Sequence, residues 1–523
     1  VSKINKKSAA RVDPPPGAAA AARRLDGWWP FAFFLPYLAA LAWWRDIVPD
    51  GLNNDVAEEV LRGLHLIEER KFEVMTLAIG NSAETLYLYV VGAVAKLLGP
   101  STLAAELPSW AAALAVIWLL ERAARRMDAA LPPWAPLLLG VSSVWLFHYA
   151  RSGLRAIAAP VFLLSFWLLL DRAERPGGTR RAAFACGAVL GLSLYAYTSC
   201  RVLPVIFLLY AAFRLLRSPA ERARLSRCYG LITLGAFVLS LPNLWFFLNA
   251  PGEFLFRGSY VVRGGAGDMV ANAFWSLLLP FSVYADSYRN LQGPAHFFDG
   301  VSAALTMAGI NPIHPLIAVA FLAGLARIWK MRREPAAAFI VIAWLTATVL
   351  LGITGPSLTR MLIVLPVYLA VACLGVAEGM KRLPAARWVF ALALLGVVAA
   401  HGYAYFTRLP ASPVSSYYFG PAATPIGERA AELASQGRRV LCVITKDANV
   451  VRYLTHEHAG RVHIAEFYFR PLIVEEIPLK DFNPAVLLIE NNDRFAGFAS
   501  LLPPPRPAPT GARFVEIDLQ SAR

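Results

Sequence analysis

Charge is what this sequence has least of. Only 16% of its 523 residues are Asp, Glu, Lys or Arg, where a soluble protein carries roughly 25%. Hydrophobic residues make up 57% and the mean hydropathy is +0.50, which excludes a disordered chain, because such chains are poor in apolar residues. Cysteine is scarce too. The five present have no paired spacing, so neither a disulfide framework nor a zinc site is written here. No internal repeat is visible. Acidic residues are outnumbered 35 to 50, a net charge of +15. That excess would suggest nucleic acid only if it were gathered on one binding face, and it is not. What the chain has in quantity is aromatic: 14 Trp, 30 Phe and 18 Tyr, the load expected where helix ends meet lipid headgroups. The composition is that of an integral membrane protein.

A span needs about 20 apolar residues. Uncharged runs of that order recur as Gly27–Trp44, Leu107–Leu120, Ala129–Ala150, Ala156–Leu170, Ala182–Cys200 and Val202–Phe213. They continue as Cys228–Gly252, Ile310–Ala326, Pro335–Thr359, Met361–Ala377 and Trp388–Thr407. Three are short and become spans only by drawing on flanking residues. The reading is a mainly α, polytopic bundle of about eleven spans. Thr85–Ala95 and Met269–Ala285 are read as interfacial helices instead.

With that choice, one side receives the N-terminus and the loops that begin at Glu121, Asp171, Arg214, Arg327 and Glu378. Half of the chain's 50 Lys and Arg lie there. Short loops on the other side hold only Arg151, Arg155, Arg201 and the boundary residue Arg360. By the positive-inside rule the basic side is cytoplasmic. This places the protein in the cytoplasmic (inner) membrane as a multi-pass chain. Residues 1–26, with their Lys, Pro and Ala runs, read as a disordered cytoplasmic arm, and the first run as a retained anchor. Residues 27–407 form the membrane region, with large outer loops at about 45–104 and 253–309. Residues 408–523 read as an outward α/β domain. Within it, 439–444, 485–489 and 514–519 have strand character and 427–435 and 449–455 have helical character.

The outer loops hold the residues that suggest chemistry. After Gly51-Leu52-Asn53-Asn54, Asp55 opens an amphipathic helix with Val56, Val60 and Leu64 on its apolar stripe. Either Asp55 caps that helix or its carboxylate is left for a reaction. The same choice applies to Glu84, in Gly80-Asn81-Ser82-Ala83-Glu84, ahead of an aromatic-rich helix. The outer arginines resist a bland account, since orientation favours such charges on the other side. Arg151 and Arg155 lie in Arg-Ser-Gly-Leu-Arg. Arg201 follows Tyr195-Ala196-Tyr197, and Arg360 ends Pro-Ser-Leu-Thr-Arg. Four such residues point to an anionic partner, and the fixed fork of Arg suits phosphate. Tyr195 and Tyr197 are candidates for a pocket wall or for the interfacial aromatic belt. His456-x-His458 reads as a surface pair, His314 as a lining or core histidine, and Asp286–Asn290 as a substrate contact or a turn.

In order and spacing these pieces resemble the GT-C glycosyltransferases, in particular bacterial relatives of protein O-mannosyltransferases and lipid A aminoarabinose transferases. The resemblance covers most of the membrane region. It implies transfer of a sugar from a polyprenyl-phosphate donor to a lipid, glycan or protein acceptor at the outer face. In that reading Asp55 is the general base, and Glu84, Arg151, Arg155, Tyr195, Tyr197, Arg201 and Arg360 bind substrate. Direct displacement would invert the anomeric centre. Two departures stand out. Many relatives have Asp-Glu where this chain has Asp55-Val56, which leaves Glu58 or Glu59 as a second carboxylate. Several have a further Asp where this chain has Arg155, so no metal ligand is assigned and a divalent ion stays an open question.

The rival is a transporter or lipid flippase. Such proteins carry ionisable groups near the bilayer midplane and show repeats. Here the spans are nearly uncharged and the ionisable residues gather at one face.

Overall fold

A computed structural model describes residues 29–45, 48–78, 81–252, 265–281, 305–306, 308–353, 355–412, 419, 421–467, 484–491 and 513–519. The expected N-terminal arm, the Asp286–Asn290 segment and the Pro-rich stretch at 503–505 lie outside them. Among the described residues, seven helical segments are long and apolar enough to cross a membrane.

The chain begins with α1 (Trp29–Ala42) and then the amphipathic α2 (Asn54–Glu68). A hairpin, β1 (Met75–Ala78) and β2 (Asn81–Glu84), leads to α3 (Leu86–Leu98). The bundle continues with α4 (Thr102–Met127), α5 (Trp134–Val141), α6 (Val144–Ser152) and, after a 3-10 turn at Arg155–Ile157, α7 (Ala158–Glu174). Next come α8 (Arg180–Ser193), a 3-10 turn at Thr198–Val202, α9 (Leu203–Arg217) and α10 (Arg222–Asn249). Then follow α11 (Ala266–Leu278), α12 (Pro315–Lys330), α13 (Pro335–Gly352), the short α14 (Leu358–Met361), α15 (Leu365–Arg382) and α16 (Arg387–Arg408).

All three short apolar runs lengthen by taking in flanking charged residues: α4 has 26 residues, and the segments ending in α7 and α9 have 20 each. The run Ala129–Ala150 is corrected. It is not one helix but α5 and α6, broken at Ser142-Ser143. Ser142 Oγ donates back to Leu139 O at 3.0 Å, and Ser143 Oγ caps α6 by accepting from Leu146 N at 3.2 Å. Side-chain bonds to the backbone compete with the helix ladder here. The run Ala182–Cys200 likewise leaves the α-helix at Ser193 and ends in the 3-10 turn. The window containing α15 is 94% buried and forms the middle of the bundle, whereas that of α10 is 17% buried. Phe237, Leu241, Trp245 and Leu248 of α10 face outward, as a lipid-facing helix requires.

The C-terminal unit contains α17 (Ala423–Ser435), β3 (Val440–Ile444), α18 (Ala448–Leu454), β4 (Val462–Glu466), β5 (Val486–Glu490) and β6 (Phe514–Asp518). The sheet order is β4-β3-β5-β6, with β3 parallel to both neighbours and β6 antiparallel. Every residue of β3 is buried, as expected for a strand covered on both faces. Strand β4 was not among those read from the sequence.

This unit sits on the first loop of the bundle. Helix α18 packs on α2. Leu52 N donates to Thr424 Oγ1 at 2.8 Å, and Tyr453 OH donates to Ser101 O at 2.9 Å while accepting from Ser101 N at 3.1 Å. Arg513 pairs with Asp50, and His456 Nε2 lies 3.1 Å from Glu68 Oε1. Below, the side of the bundle carrying this unit is called the α/β face.

Candidate active site

The site begins with how α2 is capped. Asn53 is the cap: its side chain accepts from Asp55 N at 2.8 Å. The capping alternative for Asp55 is therefore corrected. Asp55 lies in the first turn, exposed, and its carboxylate is not the cap. One turn later Glu58 is tied to Arg62 on the same helix. Glu59, also one turn on, reaches across instead, with its Oε1 3.0 Å from Arg155 Nε. Of the two acids considered as second carboxylate, only Glu59 makes this contact.

Close packing holds α2 in place. A Cβ on Gly63 would lie 2.1 Å from Leu88 O, and one on Gly92 2.3 Å from Gly63 C. Only glycine permits that approach of α2 to α3.

Glu84 is also placed differently from the sequence expectation. It ends β2 rather than capping α3; Thr85 stands at the cap and makes no side-chain cap bond. Glu84 is 1% exposed. Its Oε1 accepts from Thr198 Oγ1 at 2.7 Å and Arg201 Nη2 at 3.3 Å, and its Oε2 is 3.8 Å from Arg155 Nη1. A bond from Leu86 N to Tyr195 O at 2.9 Å ties the start of α3 to the same neighbourhood.

Arg155, 3% exposed, is thus held between Glu59 and Glu84. It lies over the Tyr197 ring at 5.6 Å, and Asp55 is near enough to add to the negative field it feels. The turn that brings it there depends on Gly153, which caps α6 with φ +74°, a left-handed conformation that glycine adopts without strain. The Arg155–Ile157 turn packs against residues 362–364, and Thr198–Val202 against α14, which carries Arg360. Tyr149 OH bonds to Thr359 Oγ1 beside it. Asp55, Glu84, Arg155, Tyr197, Arg201 and the segment bearing Arg360 therefore share one end of the bundle. Arg201 and Arg360 keep part of their surface open.

Arg151 and Tyr195 belong elsewhere. Arg151 is buried and donates to the carbonyls of Ala40 (3.3 Å), Leu41 (2.6 Å), Trp43 (2.7 Å), Trp44 (2.9 Å) and Val48. It binds the end of α1, whose last carbonyls have no partner within the helix, and these contacts are not those of a phosphate ligand. Tyr195 OH donates to Leu239 O at 2.8 Å and accepts from Asn243 N at 3.2 Å, which fastens the end of α8 to α10. His314 caps α12, its Nδ1 accepting from Leu316 N at 3.2 Å. Of the partners, Thr198 was not singled out from the sequence, and Glu59 only as an alternative to Glu58 for a second carboxylate. The spacing of Glu59, four residues from Asp55 and so on the same helix face, was the available signal.

A divalent metal does not fit this arrangement. Glu59 and Glu84 converge on the Arg155 guanidinium, which fills the position between them. Among the described residues, no group of three or more His, Cys, Asp or Glu is arranged to hold a metal ion.

The architecture is similar to that of solved structures of ArnT. ArnT from Cupriavidus metallidurans bound to undecaprenyl phosphate is 14% identical, with a TM-score of 0.53, covering 93% of this chain and 97% of that one. The same protein in the apo state gives 14% identity and a TM-score of 0.52, covering 95% and 98%. An oligosaccharyltransferase from Archaeoglobus fulgidus is 11% identical with a TM-score of 0.49, covering 88% of this chain and 68% of that one. No protein-family model and no curated protein matches the sequence. The chain shares the fold of the ArnT structures, and it is a multi-pass membrane protein.

Proposed function

We propose that the chain transfers a sugar from a polyprenyl-phosphate donor to an acceptor at the α/β face. The observation that carries this reading is the exposed, non-capping Asp55 beside a cluster of arginines. Support comes from the shared fold and from the undecaprenyl phosphate bound to ArnT.

Asp55 takes the proton from an acceptor hydroxyl as its oxygen bonds to the anomeric carbon. The bond from that carbon to the phosphate oxygen breaks, and the lipid phosphate leaves with one more negative charge. General-base help of this kind contributes about 10²–10⁴-fold. The growing charge on the phosphate calls for preorganised cations. Arg201 and Arg360, both partly open, serve that purpose, and Tyr197 forms the wall beneath Arg155. Arg155 acts through its carboxylate partners rather than on the phosphate. Attack opposite the leaving group inverts the anomeric centre. The α/β face is the outer one and the basic face cytoplasmic, so residues 408–523 hang beside the site on the acceptor side.

The test is sugar release from a panel of radiolabelled polyprenyl-phosphate sugars by purified protein, with membrane extract as acceptor source. Turnover of one donor names the sugar. Failure to bind any donor overturns the reading.

A further inference from the structure

We propose that Arg155 is a built-in cation of this site: its guanidinium holds the place between Glu59 and Glu84 that a divalent cation would otherwise take, and the protein is independent of such a metal. The inference rests on the function proposed above for what the site does, but not for how the cation is detected.

Two carboxylates, Glu59 on α2 and Glu84 at the end of β2, converge on one guanidinium. Like charges so placed repel, and burying them without compensation costs several kcal/mol each. Two cations offset them. Arg201 pairs with Glu84 and keeps about a quarter of its side chain open. Arg155 is central: Nε reaches Glu59 at 3.0 Å, Nη1 lies 3.8 Å from Glu84, and Asp55 adds to its field. Its side chain is 4% exposed, so it faces the carboxylates and not solvent. The ring of Tyr197 closes one face of the guanidinium at 5.6 Å, a favourable cation–π position. Two carboxylates and one ring thus fix a single charge at the point where the acidic groups converge. Oxygen ligands of this type are also what Mn²⁺ and Ca²⁺ prefer. Removing the guanidinium leaves Glu59 and Glu84 facing each other across a gap.

The experiment is thermal unfolding of the full-length protein in detergent, read in EDTA and in millimolar Mn²⁺ or Ca²⁺. The wild type should unfold at the same temperature in all three. Arg155→Ala should unfold about 5–10 °C lower in EDTA and regain much of that loss with either cation, since a ligand that binds only the folded state stabilises it. Adding Glu59→Gln and Glu84→Gln to Arg155→Ala should abolish the regain. Arg155→Lys, which keeps one charge at the same place, should ignore the metals as the wild type does. A wild-type midpoint that falls in EDTA and returns with metal would overturn the proposal. So would an Arg155→Ala protein indifferent to both cations. No sugar donor enters this measurement, so failure of the transferase reading and failure of the built-in cation are told apart.

Discussion

Two buried glutamates, Glu84 and Glu174, lie at opposite ends of the bundle in very different company. Glu174, at the basic face, accepts from Tyr229 OH at 2.6 Å through one oxygen. Through the other it accepts from Tyr210 OH at 2.9 Å and Arg214 Nε at 3.3 Å. Its partners come from α9 and α10, and together they staple helix ends. Glu84 is bonded to Thr198 and Arg201 and paired with Arg155, and this cluster borders the exposed Asp55. Both are buried acids with arginine partners. The difference is that one network is closed off among helix ends, while the other borders a solvent-exposed carboxylate and a partly exposed arginine. Burial with a cation marks a structural site as readily as a functional one; what separates them here is the edge each network presents.

The sharpest way to break that comparison is to neutralise each acid. Glu84→Gln and Glu174→Gln each strand a buried cation, and each should cost about 3–5 kcal/mol of stability. Only Glu84→Gln should also reduce turnover in the fraction that stays folded, measured as kcat on protein recovered after size exclusion. Equal kinetic loss in both would erase the distinction between the two faces.

The arginines give a second contrast. Arg201→Ala should lower turnover roughly 10–100-fold, the size of a charged hydrogen bond of about 1.5–3 kcal/mol. Arg151→Ala should instead lower the unfolding temperature, with kcat and KM of the surviving protein close to wild type. Its donors end on the carbonyls of α1 and the turn after it.

How much of this was readable from the sequence follows the distance over which each signal acts. Spans were legible because apolar runs and basic loops are local and long. The break at Ser142-Ser143 was not, because two serines in an apolar run leave its hydropathy almost unchanged. Glu84 looked like a cap from its neighbours, yet its partners Thr198 and Arg201 are more than a hundred residues away. Arg151 looked like a phosphate ligand because its partners are backbone carbonyls, which have no sequence signature. Asp55 was recognisable as an acid at a helix start, and only the geometry moved the capping role to Asn53. In the tail, β4 is a short strand of mixed burial, and its alternation is too brief to stand out.

The smallest expected effect lies in the C-terminal unit, away from both networks. Asp447 precedes α18 with φ +68°. Burial raises its carboxyl to about 6, the nearby Lys446 opposes the shift, and the acids Glu466 and Glu490 add to it. Between the ordinary value of 3.8 and about 6, the folded chain holds a proton that the unfolded chain has lost. Stability from this group therefore falls as pH rises through that window. Asp447→Asn, whose side chain tolerates the left-handed backbone, should flatten the slope and add about 1–2 kcal/mol at pH 7. Unfolding midpoints across pH 4–7 for the two proteins would show it.

The central claim is that Asp55 moves a proton and does not merely bind or support structure. The most direct measurement is single-turnover sugar transfer by Asp55→Asn, alongside its donor affinity and unfolding temperature. The account predicts wild-type affinity and stability with the rate of transfer down about 10²–10⁴-fold. An Asp55→Asn protein that transfers sugar at the wild-type rate would contradict it.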